Sequence, residues 1–257
     1  MNTNTIKSIK EKSVMSTIYK PTGRAGEYGE YALNIYQGCP HRCVYCYAST
    51  ILHKDRTEFH ASCTPRPNIV QEVEKRLAKG DIKGKHIFLC FTCDPFPMGI
   101  DHEPTREIIK MIHDSGNYVQ ILTKGRMCFS DRMNLNSNDI YGITISCGDE
   151  LSNKIEPNAL KVSKRIAILK AIKFYYGCKT FVSCEPVFEP EYIYELIKTA
   201  DYIDEFKIGK LNYMSPDNPF YPKINWKEFG EKCERLCKEY GRKYYIKESL
   251  RKCMEEL

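Results

Sequence analysis

Apolar residues along this chain fall into short, β-rich runs separated by longer stretches of helical periodicity. The runs Tyr31–Gln37, His86–Thr92, Tyr118–Thr123, Tyr141–Ser146, Thr180–Cys184 and Glu205–Gly209 are rich in Val, Ile, Phe or Tyr, as expected of strands buried between helices. Between them, Asn68–Lys79, Thr105–Ser115, Ser130–Leu135, Lys161–Tyr176, Pro190–Thr199 and Trp226–Tyr240 predict helices; Ile166, Leu169, Ile172 and Lys173 show the spacing of one helical face. Tyr244–Ile246 predicts one more strand before a final charged helix. The alternation predicts an α/β fold of six βα units, a partial (β/α)6 barrel or strongly curved parallel sheet with helices outside. In such architectures the functional residues follow the C-terminal ends of the strands. Residues 1–30 are polar and basic and are expected to be an irregular leader packed over the domain. Residues 31–210 form the core, and 211–257 a C-terminal loop and helical extension packed on it. The Pro-rich segment Leu211–Ile224 is expected to act as a lid or substrate wall.

Composition changes this picture little. With 257 residues, 42% hydrophobic and 28% charged, the chain is of ordinary globular type. It has no eighteen-residue apolar run, so no membrane span or membrane partner is expected. The N-terminal MNTNTIKSIKEKS lacks the apolar core of a secretory signal, and a cytoplasmic location is expected. Thirteen cysteines in a chain this long argue against a secreted disulfide scaffold and for free or metal-binding thiols. The net charge of +6 is compatible with nucleic acid binding without demonstrating it.

The chemistry concentrates in Gln37–Ala48, QGCPHRCVYCYA. Cys39, Cys43 and Cys46 are spaced C-x₃-C-x₂-C directly after the first predicted strand. Three thiolates on one short loop can wrap three corners of an iron–sulfur cubane and leave the fourth iron without a protein ligand. A structural zinc site is the alternative; Cys63 is then the more plausible fourth ligand, because His41 lies inside the cluster and is poorly placed.

This motif, with the aromatic Tyr45 before its last cysteine, resembles the radical S-adenosylmethionine (SAM) superfamily. The wording GCPHRCVYCYA, with FTCDPFPMGIDHEPTREII, ILTKG, GITIS, the Glu156-Pro157 pair and SCEPVFEP, is similar to the spore photoproduct lyase branch from about Tyr31 to Gly209. The resemblance implies a [4Fe–4S] cluster on Cys39, Cys43 and Cys46 whose unique iron chelates SAM. It also implies reductive cleavage of SAM to a 5′-deoxyadenosyl radical and abstraction of a hydrogen atom. By position it assigns Thr92, Asp94, Lys124 and Ser146 to the polar atoms of SAM, and Glu185 to the ribose or the substrate. Glu156-Pro157 is expected to open the next helix. A flavodoxin- or ferredoxin-like electron donor is implied as a partner, and a nucleic acid base as the substrate.

The chain departs from that branch where the lyases carry a hydrogen-donating cysteine. Phe91 occupies the slot, flanked by Cys90 and Cys93, so these two are the candidate catalytic thiols; Tyr47 beside the cluster is the third candidate. Cys233, Cys237 and Cys253 are candidates for an auxiliary cluster, with apolar packing as the alternative. The basic stretches Lys161–Lys173 and Lys243–Lys252 read as a nucleic-acid surface or as solvated helix faces. Competing functions are radical chemistry on a peptide or small metabolite, a non-catalytic electron-transfer protein, and a zinc module.

Overall fold

The computed structural model describes residues 17–132 and 134–255. The leader segment 1–16 lies outside the described residues. The elements run β1 (Tyr31–Leu33), β2 (Tyr36–Gln37), α1 (Ala48–Ile51), α2 (Arg56–Ala61), β3 (Thr64–Pro65), α3 (Ile69–Leu77) and β4 (His86–Leu89). They continue with α4 (Glu103–Asp114), β5 (Tyr118–Thr123), α5 (Phe129–Arg132), β6 (Ile140–Thr144), α6 (Asp149–Ile155), α7 (Val162–Tyr176) and β7 (Lys179–Cys184). The last are α8 (Pro190–Thr199), β8 (Glu205–Ile208), α9 (Trp226–Glu239), β9 (Tyr244–Ile246) and α10 (Glu248–Glu255). Seven strands form one parallel sheet in the order β1-β4-β5-β6-β7-β8-β9, with β1 and β9 as its edges. With spatial order equal to chain order, crossovers of the hand usual for parallel strands put the helices on one face and leave the other free to line a cavity.

Side-chain alternation along each strand divides the two faces. Ile87, Ile121, Ile143, Val182 and Phe206 are buried in the main core. The helices meet them with apolar stripes such as Ile69, Val73 and Leu77 of α3 and Ile108, Ile109 and Ile112 of α4. The alternate residues Phe88, Leu122, Thr144 and Ser183 line the inner cavity.

Several boundaries differ from the pattern-based reading. The run Tyr31–Gln37 is two strands: β1 joins the main sheet, whereas β2 pairs antiparallel with β3. The break falls at Asn34, whose side-chain carbonyl accepts N–H bonds from Phe91 (2.8 Å) and Thr92 (2.9 Å), so the local chain serves the loop after β4. For the same reason β4 stops at Leu89 rather than continuing to Thr92. Tyr244–Ile246 joins the sheet as its seventh strand, one more than the six βα units expected. Helices α1, α2 and α6 have only four to seven residues, too few for a visible period. Glu156 does not open the next helix; it follows α6 as its C-terminal cap, and α7 begins at Val162.

Two buried devices hold the loops at the C-terminal strand ends. Gly125 sits where a Cβ would overlap the backbone carbonyl of Phe96, so only glycine lets the loop after β5 pack on the loop after β4. Arg165 of α7 is 1% exposed and Glu156 2%. The guanidinium donates to the Glu156 carboxylate, to the Thr144 carbonyl (2.9 Å) and to the Leu160 carbonyl (2.6 Å). Burial alone would raise the Glu156 pKa, but Arg165 and then Lys124 outweigh it and hold the carboxyl below its usual range.

The Gly125→Ala variant is expected to lose about 3 kcal/mol of stability in urea denaturation of the metal-free protein, the upper end of overpacking costs, because the opposing atom is backbone. An unchanged midpoint would show that the loop yields. Arg165→Met is expected to cost about 3–5 kcal/mol, as one partner of a buried pair is stranded. In the wild-type chain the lowered pKa makes Glu156 stabilising above the usual glutamate value, and this stability is lost as pH falls through the folded value. In the variant, burial dominates and the carboxylate is a liability at neutral pH. The gap between the two proteins is therefore expected to be widest near pH 7 and to shrink in acid. A gap independent of pH would remove Glu156 from the explanation.

Candidate active site

A cavity of about 390 Å³ opens at the C-terminal ends of the strands, and Cys39, Cys43 and Cys46 line it together. Their loop is tied from several directions. Gly38 enters it at φ +77°, a left-handed conformation in which a Cβ would also strike the Ser62 and Phe59 carbonyls. The Cys39 N–H donates to Phe59 (3.2 Å), the His60 Nδ1–H to the Cys39 carbonyl (2.8 Å) and the Val44 N–H to Ile155 (2.8 Å). Asn158 donates to the Pro40 carbonyl (2.9 Å), and the Arg56 guanidinium bridges the carbonyls of Cys43 and Cys46. Tyr45 turns inward and donates to Glu156, which joins the middle of the loop to the Arg165 network.

The three thiols sit in different electrostatic surroundings. Burial pushes the Cys39 thiol up, and it pushes the Cys43 thiol up to about 12. Burial would also raise Cys46, but the His60 side chain and the Ala48 amide outweigh it and bring that thiol below its usual value. The Lys124 ammonium has no hydrogen bond or carboxylate partner among the described residues. It lies 5.9 Å from the Tyr45 ring centroid. Burial would lower its pKa, yet Cys43, Glu156 and Asp94 outweigh that and keep it charged. His41 is pushed down to about 4 by burial and is neutral; its Nε2 accepts the Met98 N–H at 3.2 Å.

The donor set suits a cluster better than a single small ion. Among the described residues, the group whose ligand atoms all lie within 4.8 Å of one another is His102, Cys128 and Asp131, away from this cavity. The three loop thiols are not gathered so tightly. Cys63, the candidate fourth zinc ligand, is buried in the main core and does not line the cavity. His60 Nε2 is buried beside Cys46. Three thiols around open space, one of them already acidified, match what an iron–sulfur cluster requires.

Most of the residues singled out in the sequence meet here. Tyr47, Cys90, Thr92, Cys93, Asp94, Lys124 and Glu185 all line the cavity. Asp94 is largely committed internally: it accepts from Thr123 Oγ1 (2.5 Å), the Lys124 N–H (2.8 Å) and the Phe96 N–H (2.9 Å). Glu185 receives Lys247 at 2.5 Å and Arg24 at 2.9 Å. Tyr47 donates to the Phe91 carbonyl (2.6 Å), with its ring 6.1 Å from that of Tyr213. Ser146 is the exception. It is fully buried behind the wall, its hydroxyl directed at Glu156 (3.3 Å) and Tyr45 (3.4 Å). Cys233 and Cys237 are buried in the main core beside Cys184, a packing environment. On the basic stretch of α7, Lys170 covers the Tyr202 ring and Lys173 pairs with Asp204, as on a solvated helix face.

The cavity also holds residues that the motif did not announce. Arg24 and Tyr28 come from the leader, and Lys247 from the turn after β9. Tyr28 packs on Phe88 and Phe181, its hydroxyl 2.8 Å from Ser183 Oγ, and Lys247 Nζ lies 3.9 Å from its ring centroid. No sequence signal pointed to them beyond their ordinary residue types.

No family model matches the chain. An uncharacterised protein of Methanocaldococcus jannaschii is 29% identical over 164 residues, covering 62% of this chain and 60% of that protein. The chain thus spans less than two thirds of that curated relative. A spore photoproduct lyase complexed with a dinucleoside spore photoproduct superposes with a TM-score of 0.65 at 17% identity, covering 89% of this chain and 79% of the other. A spore photoproduct lyase variant with bound AdoMet and the same dinucleoside gives 0.63 at 17%, covering 85% and 76%. SuiB of Streptococcus suis bound to S-adenosylmethionine gives 0.63 at 15%, covering 88% of this chain and 52% of that one. The chain therefore has the α/β fold shared by spore photoproduct lyase and SuiB, a parallel sheet with its helices outside.

Proposed function

We propose that the protein is a radical SAM enzyme that holds a [4Fe–4S] cluster on Cys39, Cys43 and Cys46, binds SAM in the adjoining cavity and abstracts a hydrogen atom from a nucleic acid base. The observation that carries this reading is the convergence of three thiols from one tethered loop on a cavity that Lys124, Thr92 and Glu185 also line. The fold it shares with structures of proteins bound to SAM supports it. When bound, the cluster and SAM together supply the chemistry, one electron cleaving SAM to a 5′-deoxyadenosyl radical.

The chain's own residues bind and orient. Lys124, a cation with no carboxylate partner among the described residues, suits the methionine carboxylate of SAM. Asp94 acts through the loop: its oxygens hold Thr123, Lys124 and Phe96 in register, so it aims Lys124. Glu185 spends its charge on Arg24 and Lys247, which fixes the far wall. The cavity wall carries the cations Arg24, Lys124, Lys210 and Lys247 against the carboxylates Asp94 and Glu185. This excess, with the exposed rings of Tyr47 and Tyr213 and Arg24 5.3 Å from the Tyr213 centroid, favours a planar base on an anionic backbone over a neutral metabolite. Cys90, Cys93 and Tyr47, which line the cavity, are the proposed residues that return a hydrogen atom. A flavodoxin- or ferredoxin-like protein is the proposed electron donor.

Anaerobic reconstitution with iron and sulfide, followed by reduction and SAM, is expected to yield 5′-deoxyadenosine by chromatography. Cys39→Ala, Cys43→Ala and Cys46→Ala are each expected to lose the cluster; full iron and sulfide in any one would overturn its assignment. Lys124→Ala is expected to keep the cluster and weaken SAM binding at least tenfold, about 1.4 kcal/mol. An intact cluster that neither binds nor cleaves SAM would make the protein an electron carrier.

A further inference from the structure

Cys90 and Cys93 are the ends of a C-x-x-C segment, CFTC, that follows β4. Among the described residues they are the cysteines that line the cavity apart from the three on the loop after β2. The C-x-x-C spacing is that of a redox dithiol, whose two sulfurs can meet across a single turn. Cys93 is partly exposed to the cavity, and Cys90 is 6% exposed, so the pair has an outer and an inner sulfur. The Tyr36 N–H donates to Cys93 Sγ at 3.4 Å. The turn between the two cysteines is clamped from both sides: Asn34 Oδ1 takes the N–H groups of Phe91 and Thr92, and the Tyr47 hydroxyl takes the Phe91 carbonyl. The outer sulfur, open to the cavity and held by a backbone donor, is the one that an entering thiol reaches first.

We propose that Cys90 and Cys93 form a redox-active dithiol, a site at which the cavity accepts two electrons and two protons from low-molecular-weight thiols and stores them as two S–H bonds. Starting from the disulfide, a thiolate RS⁻ attacks the exposed Cys93 sulfur. The Cys90–Cys93 bond breaks, and its electron pair leaves on Cys90, which takes a proton. A second RS⁻ attacks the R sulfur of the mixed disulfide, releasing Cys93 as a thiolate beside the Tyr36 amide, and this too is protonated. The sum is Cys90–S–S–Cys93 plus two RSH giving two protein thiols and RS–SR, and excess RS–SR drives it backwards. Burial and the neighbouring Cys93 thiol keep Cys90 protonated once the pair is reduced. The inference rests on the radical reading only for its consequence: reduced, the cavity wall offers an S–H hydrogen donor to a substrate radical, and oxidised it offers none.

The test equilibrates the native, cluster-reconstituted protein anaerobically with mixtures of reduced and oxidised dithiothreitol. Acid quenching, alkylation and peptide mass spectrometry follow. One intramolecular Cys90–Cys93 cross-link is expected, appearing across a single two-electron transition, while the other cysteines stay alkylatable. Cys90→Ser and Cys93→Ser are each expected to abolish it. Asn34→Ala, which frees the turn, is expected to move the midpoint ratio at least threefold with the cross-link retained. Full alkylation of both thiols at the most oxidising ratio, or pairing of either with Cys63, would overturn the proposal. Iron and sulfide measured on the same samples separate the two claims. A cross-link in protein that takes up no cluster leaves the dithiol standing and removes the radical reading, whereas a cluster without the cross-link does the reverse.

Discussion

One buried carboxylate joins the cysteine loop to the sheet. Glu156 receives the Tyr45 hydroxyl from the middle of the C-x₃-C-x₂-C segment, the Ser152 hydroxyl from α6 and the Arg165 guanidinium from α7. The same guanidinium holds the carbonyl of Thr144 at the end of β6. Few side chains can satisfy a carboxylate at this depth, and Arg165 does so with a planar fork that also answers backbone oxygens. The cost of burying the pair is offset only while every partner is present. The aromatic residue of the cysteine motif therefore works mechanically, anchoring a loop that must present three sulfurs to open space.

Asp94 repeats the device on the neighbouring strands. Its carboxylate takes a hydroxyl from the last residue of β5, an amide from the loop after it and an amide from its own loop, while Gly125 permits the close approach that brings them together. Lys124 emerges from this junction with its backbone fixed and its ammonium unpaired among the described residues. A flexible four-carbon stem on a rigid base is well suited to meet an anion entering the cavity. The position of this cation near the thiols thus depends on a residue that contributes little surface to the cavity itself.

The opposite wall is built by distant parts of the chain. Arg24, Glu27 and Tyr28 of the leader, Glu185 after β7 and Lys247 after β9 share charges and rings across it. Lys247 is 2% exposed and is tolerated there because Glu185, Glu27 and the Tyr28 ring surround it. Thr22, Arg24, Ala25 and Tyr28 consequently belong to the cavity wall as much as the strands do.

The sequence by itself determined the α/β alternation, the strand positions and the cysteine loop, because strand burial and ligand spacing are local and repeat at short range. It also marked Thr92, Asp94, Lys124 and Glu185, since each lies at or just past the end of a predicted strand and strand ends converge in a parallel sheet. It did not disclose that Tyr31–Gln37 breaks at Asn34, that Glu156 closes one helix rather than opening another, or that Ser146 turns behind the wall. Nor did it show that Arg24, Tyr28 and Lys247 enter the cavity, or that the Tyr36 amide serves Cys93. Most of these were decided by contacts between residues far apart in the chain, 57 positions for Tyr36 with Cys93 and 221 for Glu27 with Glu248. Only the folded sheet brings such groups within hydrogen-bond range, and once buried there a polar group must find a partner, whichever segment supplies it.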